Sequence, residues 1–392
     1  MKYRLKDIFD LQMGKTPSRS NPDYWNTNDN KWISIADLTK TEKYILDTKE
    51  YLSDVAVKES GIKVIPANTV VMSFKLSIGK TAITKEQMYS NEAIMAFHDK
   101  HIVDILPEYI FYLFKHRNWD EDSNKAVKGK TLNKATLSKI EVEICAIEKQ
   151  REIVAVLDKM TLLLESRKNE IALLDDLIKA RFVEMFGDPQ TNPYGWKVVN
   201  LSEIIDGKVS NGFFAKRDDY CNDGNVSVLG VANIVNRMYS NIDELPRTNA
   251  NSKDIEKYEV KYGDMLFCRS SLVAEGIGKA SIIPKDVKKN ILFECHVIRL
   301  PLDLNKCVPE FIQTLSTMEF FRNQIIAQSN TATMTTIGQD GILKSNIILP
   351  SLERQKEFLD FVTQVDKSKA VVQKALDETQ LLFDSLMQEY FG

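Results

Sequence analysis

Four histidines, His98, His101, His116 and His296, are the first places to look for catalysis. His98 and His101 stand three apart, but no HExxH pattern accompanies them, so no metal site is expected. There is no GxSxG elbow and no GxxxxGK[ST] phosphate loop, and "GIGK" (276–279) is too short to cradle a phosphate chain. The glycine-rich and aromatic motifs of an adenine methyltransferase that binds S-adenosylmethionine are missing too.

What the chain offers instead is loops rich in hydrogen-bond donors of the kinds that meet phosphates and base edges. "GKTPSRSN" (14–21) carries Lys15, Thr16, Ser18, Arg19 and Ser20. "GKVSNGFFAKR" (207–217) is taken as its counterpart, with Lys208, Ser210, Asn211, Lys216 and Arg217; its Phe213 and Phe214 are expected to pack. "SFKLSIGK" (73–80) supplies Lys75, Ser77 and Lys80, and "CRSSLVAEGIGK" (268–279) supplies Arg269, Ser270, Ser271 and Lys279. Arginine suits guanine, and serine serves several bases. Gly79 and Gly278 fit equally well as plain turns between strands. "VANIVNR" (231–237) adds Asn233, Asn236 and Arg237, asparagine being suited to adenine. "ADLTK" (36–40) adds Asp37, Thr39 and Lys40, with Asp37 expected to cap a turn. The densest basic run, "NKAVKGKTLNK" (124–134), holds Lys125, Lys128, Lys130 and Lys134. It fits phosphate contact or a solvated loop beside the acidic "DEDS".

The elements that must position these loops are legible from a duplication. Residues 147–187 and 352–392 align without a gap at an offset of 205, with Glu148/Glu353, Gln150/Gln355, Glu152/Glu357, Leu177/Leu382, Glu184/Glu389, Phe186/Phe391 and Gly187/Gly392 identical. Neither segment contains Pro or Gly before its last residue. Ile153, Leu157, Met160, Leu164, Ile171, Leu174, Ile178 and Met185 keep a 3–4 spacing, matched by Phe358, Val362, Val365, Val372, Leu376, Phe383, Leu386 and Tyr390. That pattern predicts two long helices able to form a coiled coil, with Arg167, Arg181, Lys369 and Thr379 interrupting the seam. Two amphipathic helices on separate cores would satisfy the same pattern. The stretches before them also repeat: "LPEYIFYLF" (106–114) resembles "VPEFIQTLS" (308–316), and "TLNKATLSKIEVEIC" (131–145) matches "TIGQDGILKSNIILP" (336–350). The expected organisation is a globular domain at 1–146, a helix at 147–187, a second domain at 188–351 and a second helix at 352–392, the fold class being α+β. "FGDPQTNPYGWKVV" (186–199) is the joint, where Pro189, Pro193 and Gly195 cannot continue a helix. The short joint makes an antiparallel pair of helices the expected arrangement.

Composition is that of a globular protein: 43% hydrophobic, 27% charged, net charge −3. No apolar run reaches membrane-spanning length. The N-terminus lacks a signal-peptide core, and five scattered cysteines without a CxxC pair favour reduced thiols, so a cytoplasmic protein is expected. The last repeat holds five Lys/Arg against eight Asp/Glu and carries much of the negative excess.

"GKTPSRSNPDYW" (14–25), "WISIADL" (32–38), the "SIGK" and "GIGK" segments, "ILPSLERQKEF" (348–358) and the joint, taken in their order and duplication, resemble the specificity subunit of a type I restriction–modification system over nearly the whole chain. One departure is Cys145 standing where the second repeat has Pro350, a change that can soften the lead into the first helix. The resemblance implies two target-recognition domains, each reading half of a split double-stranded DNA sequence, joined and spaced by two antiparallel helices. It implies docking of two methyltransferase subunits, and of restriction/translocase subunits through them. It places no cofactor in this chain, S-adenosylmethionine, ATP and Mg belonging to the partners, and gives the chain no catalysis of its own. A divergent nuclease with its own recognition domains and a coiled-coil scaffold without a DNA role are the alternatives the residues leave open.

Overall fold

The structure is a computed structural model, and it describes all residues except Leu76, 120–123 and 127–128, with the backbone alone described at 124–126 and 129–131. Lys128 and the side chains of Lys125 and Lys130 therefore lie outside the described residues. The two duplicated segments are single helices of 40 residues, Ile147–Phe186 (the central helix) and Leu352–Phe391 (the terminal helix). At about 1.5 Å per residue each runs roughly 60 Å. Gly187 ends the first at φ 74°, and its N–H bonds back to Val183, a left-handed stop that glycine adopts without steric cost. Among the described residues no helix is long and apolar enough to cross a membrane.

By contacts the chain divides within both long helices, into residues 1–168 with 375–392 and residues 169–374. In the first unit a five-stranded sheet orders Phe9–Met13, Ile94–Asp99, Val70–Ser73, Thr81–Thr84 and Tyr44–Ile45. A three-stranded sheet orders Glu50–Leu52, Asn30–Ile33 and Tyr89–Ser90, with one antiparallel and one parallel pairing. Lys2–Arg4 pairs with Glu141–Glu143, bringing the chain start to the foot of the central helix. The helix Pro107–His116 starts with Pro at its first turn and buries Tyr109 to Phe114 in the core.

The second unit repeats this plan. Its four-stranded sheet orders Ser210–Asn211, Val297–Pro301, Asp264–Cys268 and Ala280–Ile282. Arg247–Thr248, Val226–Leu229 and Ile291–Phe293 again form three strands with one antiparallel and one parallel pairing. Lys197–Asn200 pairs with Asn346–Leu349. Pro309–Thr317 takes the place of Pro107–His116. A second helix, Glu319–Ala327, follows.

Within each unit the parts of the two long helices lie antiparallel. In the first, Ile153 and Leu157 share a core with Met387, while Phe383, Leu386 and Tyr390 flank it. Arg167 donates to the carbonyl of Ala375 and the hydroxyl of Thr379. In the second, Ile178, Phe182 and Phe186 meet Phe358, Val362 and Val365, and Lys369 pairs with Asp175. The seam is tightest at its ends: Met160 and Leu164 are buried, whereas Ile171, Leu174, Val372 and Leu376 are half-buried. Two details differ from the spacing argument. Met387 is the buried residue beside a half-buried Leu386, and Phe182, outside the seam as spaced, is 0% exposed. Phe182 stacks at 5.1 Å on Phe311, so the helix is held by an aromatic cluster of the globular part as well as by its partner helix.

The identical glutamines have one job in both repeats. Gln150 is 0% exposed, accepts from the Leu106 N–H and donates to the Asp104 and Cys145 carbonyls, each at 2.9 Å. Gln355, also 0% exposed, accepts from the Val308 N–H and donates to the Pro350 carbonyl, both at 2.9 Å. Each amide ties the first turn of a long helix to the loop before the proline-led helix. Cys145 and Pro350 contribute the same carbonyl, so the departure noted in the sequence does not loosen the lead into the first helix.

Candidate nucleic-acid interface

In the first unit the loops 14–21 and 73–80 come together at Glu92. Thr16 donates to its carboxylate, and that bond, with Lys75 and Arg19 nearby, holds the Glu92 pKa below the usual carboxylate value against the opposing effect of burial. Arg19 grips Glu50 with both guanidinium nitrogens, and this bond is the main cause of its raised pKa. Its guanidinium lies 3.8 Å from the Trp25 ring centre. The loop backbone is pinned by two indoles: Trp25 donates to the Ser18 carbonyl at 3.0 Å and Trp32 to the Lys15 carbonyl at 3.1 Å. Both tryptophans belong to the quoted "PDYW" and "WISIADL" segments, whose role is thus to shape the loop. Ser18 and Ser20 share a hydrogen bond at 2.8 Å and face solvent. Lys15 reaches the Ser60 carbonyl, and Lys80 reaches the Thr39 hydroxyl. Ser77 lends its carbonyl to the Ser73 hydroxyl, leaving its own side chain exposed.

In the second unit Asn236, Ser270, Ser271 and Lys279 line one cleft of about 470 Å³. Lys279 donates to the Asn236 carbonyl oxygen at 2.7 Å, which leaves the Asn236 NH₂ to offer outward. Ser270 shares a hydrogen bond of 2.9 Å with His296 Nδ1. Arg269 is half-buried; its backbone N–H bonds to His296 and its guanidinium lies 3.5 Å from the Cys295 carbonyl. His296, Glu294, Leu272 and Met334 also line the wall, and sequence reading missed all of them. His296 was weighed only as a metal ligand or catalyst. Leu272, 81% exposed, carries no sequence signal that separates it from a core leucine. Arg237, Lys216 and Arg217 are exposed at other points of the surface.

Several candidates have structural duties. Asp37 forms a capping box with Ser34, accepting from its N–H at 2.8 Å. Asn233 fills the matching place, its side-chain oxygen accepting from the Gly230 N–H at 3.0 Å, so its acceptor is already engaged. Asn211 sits on a sheet edge and accepts from Gln339 at 3.2 Å. Gly79 and Gly278 are left-handed, with φ 87° and 61°, which marks them as turns. An added Cβ would lie 2.7 Å from Trp119 in the first case and 2.4 Å from Ile325 in the second.

Backbone contacts set the register of the two N-terminal loops. Gly14 donates to Ile94 and Lys15 to Ser90; Gly212 donates to Val297 and Phe213 to Phe293. At both glycines a Cβ would sit 2.2 Å from a carbonyl oxygen. Gly212, not Gly207, is therefore the counterpart of Gly14, and Lys208 falls before the tight approach rather than after it. Phe213 packs edge-on to Tyr258 as expected, but Phe214 is 68% exposed. The open end of the loop excludes it from the core.

A family model described as type I restriction modification DNA specificity domain matches residues 1–174 and 193–379. The specificity subunit of the type I restriction enzyme MjaIX from Methanocaldococcus jannaschii is 28% identical over 252 residues, covering 59% of this chain and 57% of that protein. The StySPI specificity subunit from Salmonella potsdam is 25% identical over 306 residues, 72% and 64% of the two chains. The chain thus spans less than two thirds of the length of these curated relatives. In fold it is similar to the type I S subunit from M. genitalium, with a TM-score of 0.52 at 11% identity over 100% of this chain and 96% of that one. A chain from a structure addressing complex assembly and conformational transition of the type I R-M system gives 0.55 at 16% identity, over 100% and 97%. Two matched regions, each a globular part running into a long helix, follow the duplication read from the residues: the chain belongs to the family of type I restriction–modification DNA specificity domains.

Proposed function

We propose that this chain is a non-catalytic recognition subunit that selects a bipartite duplex DNA target and positions methyltransferase partners on it. Each globular part reads one half of the target. The paired long helices fix the separation of the halves, because half-site spacing mirrors the spacing of the protein modules that read them. The observation that carries the reading is the duplicated unit: two sheets of matching order, two proline-led helices, two buried glutamines and two 40-residue helices. A fold that repeats its scaffold while changing its loop residues is built to present two different surfaces in one geometry.

In the first part the contact residues are Lys15, Thr16, Ser18, Arg19, Ser20, Lys75, Ser77 and Lys80, of which Ser18, Ser20 and Ser77 have exposed side chains. In the second, Asn236, Ser270, Ser271 and Lys279 line one cleft and form the stronger candidate for base reading, with Arg269 beside Ser270 in the chain. Lys208, Lys216, Arg217 and Arg237 serve backbone phosphates. Methyl transfer to a flipped adenine, with S-adenosylmethionine, belongs to two docked methyltransferase subunits, and ATP-driven steps belong to restriction subunits held through them. The test is to combine the chain with the methyltransferase encoded beside it and to map methylated adenines across a genome. A split motif with a constant spacer is expected; methylation without one refutes the reading.

A further inference from the structure

The second unit contains a cleft of about 340 Å³ where its globular part meets the end of the central helix. Four cations line it: Lys179 from the helix, Arg237 and Lys279 from two loops, and Arg322 from the helix Glu319–Ala327. The one carboxylate in the described wall, Asp175, is paired with Lys369. Lys179 makes only an exposed contact of 3.4 Å with Asp176 along its own helix. Arg322 is fixed through Nη2, which donates to the Glu275 and Ile277 carbonyls at 3.1 and 2.6 Å. Its Nη1 is buried and has no hydrogen-bond partner among the described residues. An unmet buried donor on a charged group is costly, and structures retain few of them. Burial is the main influence on the Arg322 charge, pulling its pKa down, and no carboxylate opposes it.

The wall also says what kind of ligand suits it. The hydroxyls of Thr314, Ser316 and Thr317 already donate to helix carbonyls, at 2.8, 2.6 and 2.7 Å. Apart from the Asn236 NH₂, the donors left are cationic. Cations converging from four elements on a small space match a multiply charged, multi-oxygen anion better than a neutral or singly charged group. The charge is not a by-product of the duplication, since the residue 205 positions after Lys179 is Asp384. Lys279 and Asn236 line this cleft and the adjoining one with Ser270 and Ser271, so the two are contiguous.

We propose that the cleft is a phosphoryl-anion site. The anion is either a backbone phosphate of the DNA next to the bases read by the second globular part or the phosphate of a free small molecule. The first source rests on the DNA-reading proposal; the second does not.

The test uses the full chain assembled with its methyltransferase partner, and two variants: Arg322→Gln, and Lys179→Asp, which copies the acid of the other repeat at a surface position. Inorganic phosphate and pyrophosphate are titrated by calorimetry. Target duplexes carrying single neutral methylphosphonates are compared by anisotropy. If the source is DNA, one methylphosphonate weakens wild-type binding at least five-fold, has no further effect on Lys179→Asp, and that variant's salt slope falls by about 0.9. If the source is a free anion, phosphate binding saturates in the wild type and falls at least ten-fold in both variants, while their DNA affinity and salt slope stay unchanged. The proposal is overturned when neither variant alters phosphate binding and neither alters the response to any methylphosphonate. Loss of the DNA-reading proposal would show separately, as wild-type complex without preference for any split target.

Discussion

Replacing Gln355 with Met tests whether the repeated glutamine is what locks a globular part to its helix. Methionine keeps the volume and removes both polar ends. The Val308 N–H and the Pro350 carbonyl, each 2.9 Å from the wild-type amide, are then left without partners in a site that is 0% exposed. At about 1–3 kcal/mol for each stranded group, less for the carbonyl, the expected loss is about 2–4 kcal/mol. Gln355→Glu adds a sharper test. Its carboxylate still accepts from Val308 but faces the Pro350 carbonyl with no donor. Protonation restores that donor, and burial favours the neutral form, so its folded pKa lies above the unfolded value. The stability tied to a raised pKa is complete below the unfolded value and disappears as pH rises through the folded one. The Glu variant should therefore be close to wild type near pH 4, below the unfolded glutamate value of about 4.3, and approach the Met variant near pH 8. Urea denaturation supplies the magnitude, and hydrogen exchange at the Val308 amide supplies the place. A Met variant within about 0.5 kcal/mol of wild type, or a Glu variant whose deficit ignores pH, would refute the assignment.

Three further outcomes follow from other contacts. Cys145→Pro should leave the melting temperature within about 2 °C, because only the Cys145 carbonyl is used by Gln150 and the second repeat carries proline there; a large drop would mean that the thiol or the Cys145 N–H has a role. Arg167→Met should change stability by less than about 1 kcal/mol in urea denaturation, since Ala375 keeps a 2.7 Å bond from Thr379 when the guanidinium is gone. Asp264 is 0% exposed and burial pushes its pKa up to about 6. Its raised value means stability present below pH 4 and lost through pH 6, on the order of 3 kcal/mol, and Asp264→Asn should flatten the melting temperature between pH 4 and pH 7.

The long helices were legible because periodicity and duplication are properties of neighbouring residues. Gln150 and Gln355 showed as identities, yet their purpose did not, because their partners Leu106 and Val308 lie 44 and 47 residues away. Phe182 was missed for the same reason: its ring answers to Phe311 of the globular part, not to the seam. The N-terminal loops were legible as counterparts but not in register, since the steric need for glycine falls at Gly14 and Gly212. A match between loops carries no information about a carbonyl arriving from another strand. The interface residues were partly legible: Lys279, Ser270, Ser271 and Asn236 were named as types and proved to be neighbours. Glu92 and Glu50, which hold Thr16 and Arg19, and His296, which holds Ser270, were invisible until the strands were paired.

The duplication supplies an internal comparison that sharpens the candidate set. Positions that hold the scaffold keep their chemistry across the repeats: Asp37 and Asn233 both accept from a backbone N–H three residues back, and Tyr44 and Tyr239 both donate to a glutamate at the head of the proline-led helix. A side chain with such a duty is a poor reader, since reading a base would strand the backbone group it serves. Asn233 should therefore be set aside in favour of Asn236, whose partner Lys279 is itself at the surface of the cleft and can exchange it for a ligand. By the same argument Arg19, held by Glu50 and stacked on Trp25, orders its loop in the free protein. It can meet a base only by giving up that carboxylate, whereas Ser18 and Ser20 beside it give up only the exposed hydroxyl bond they share.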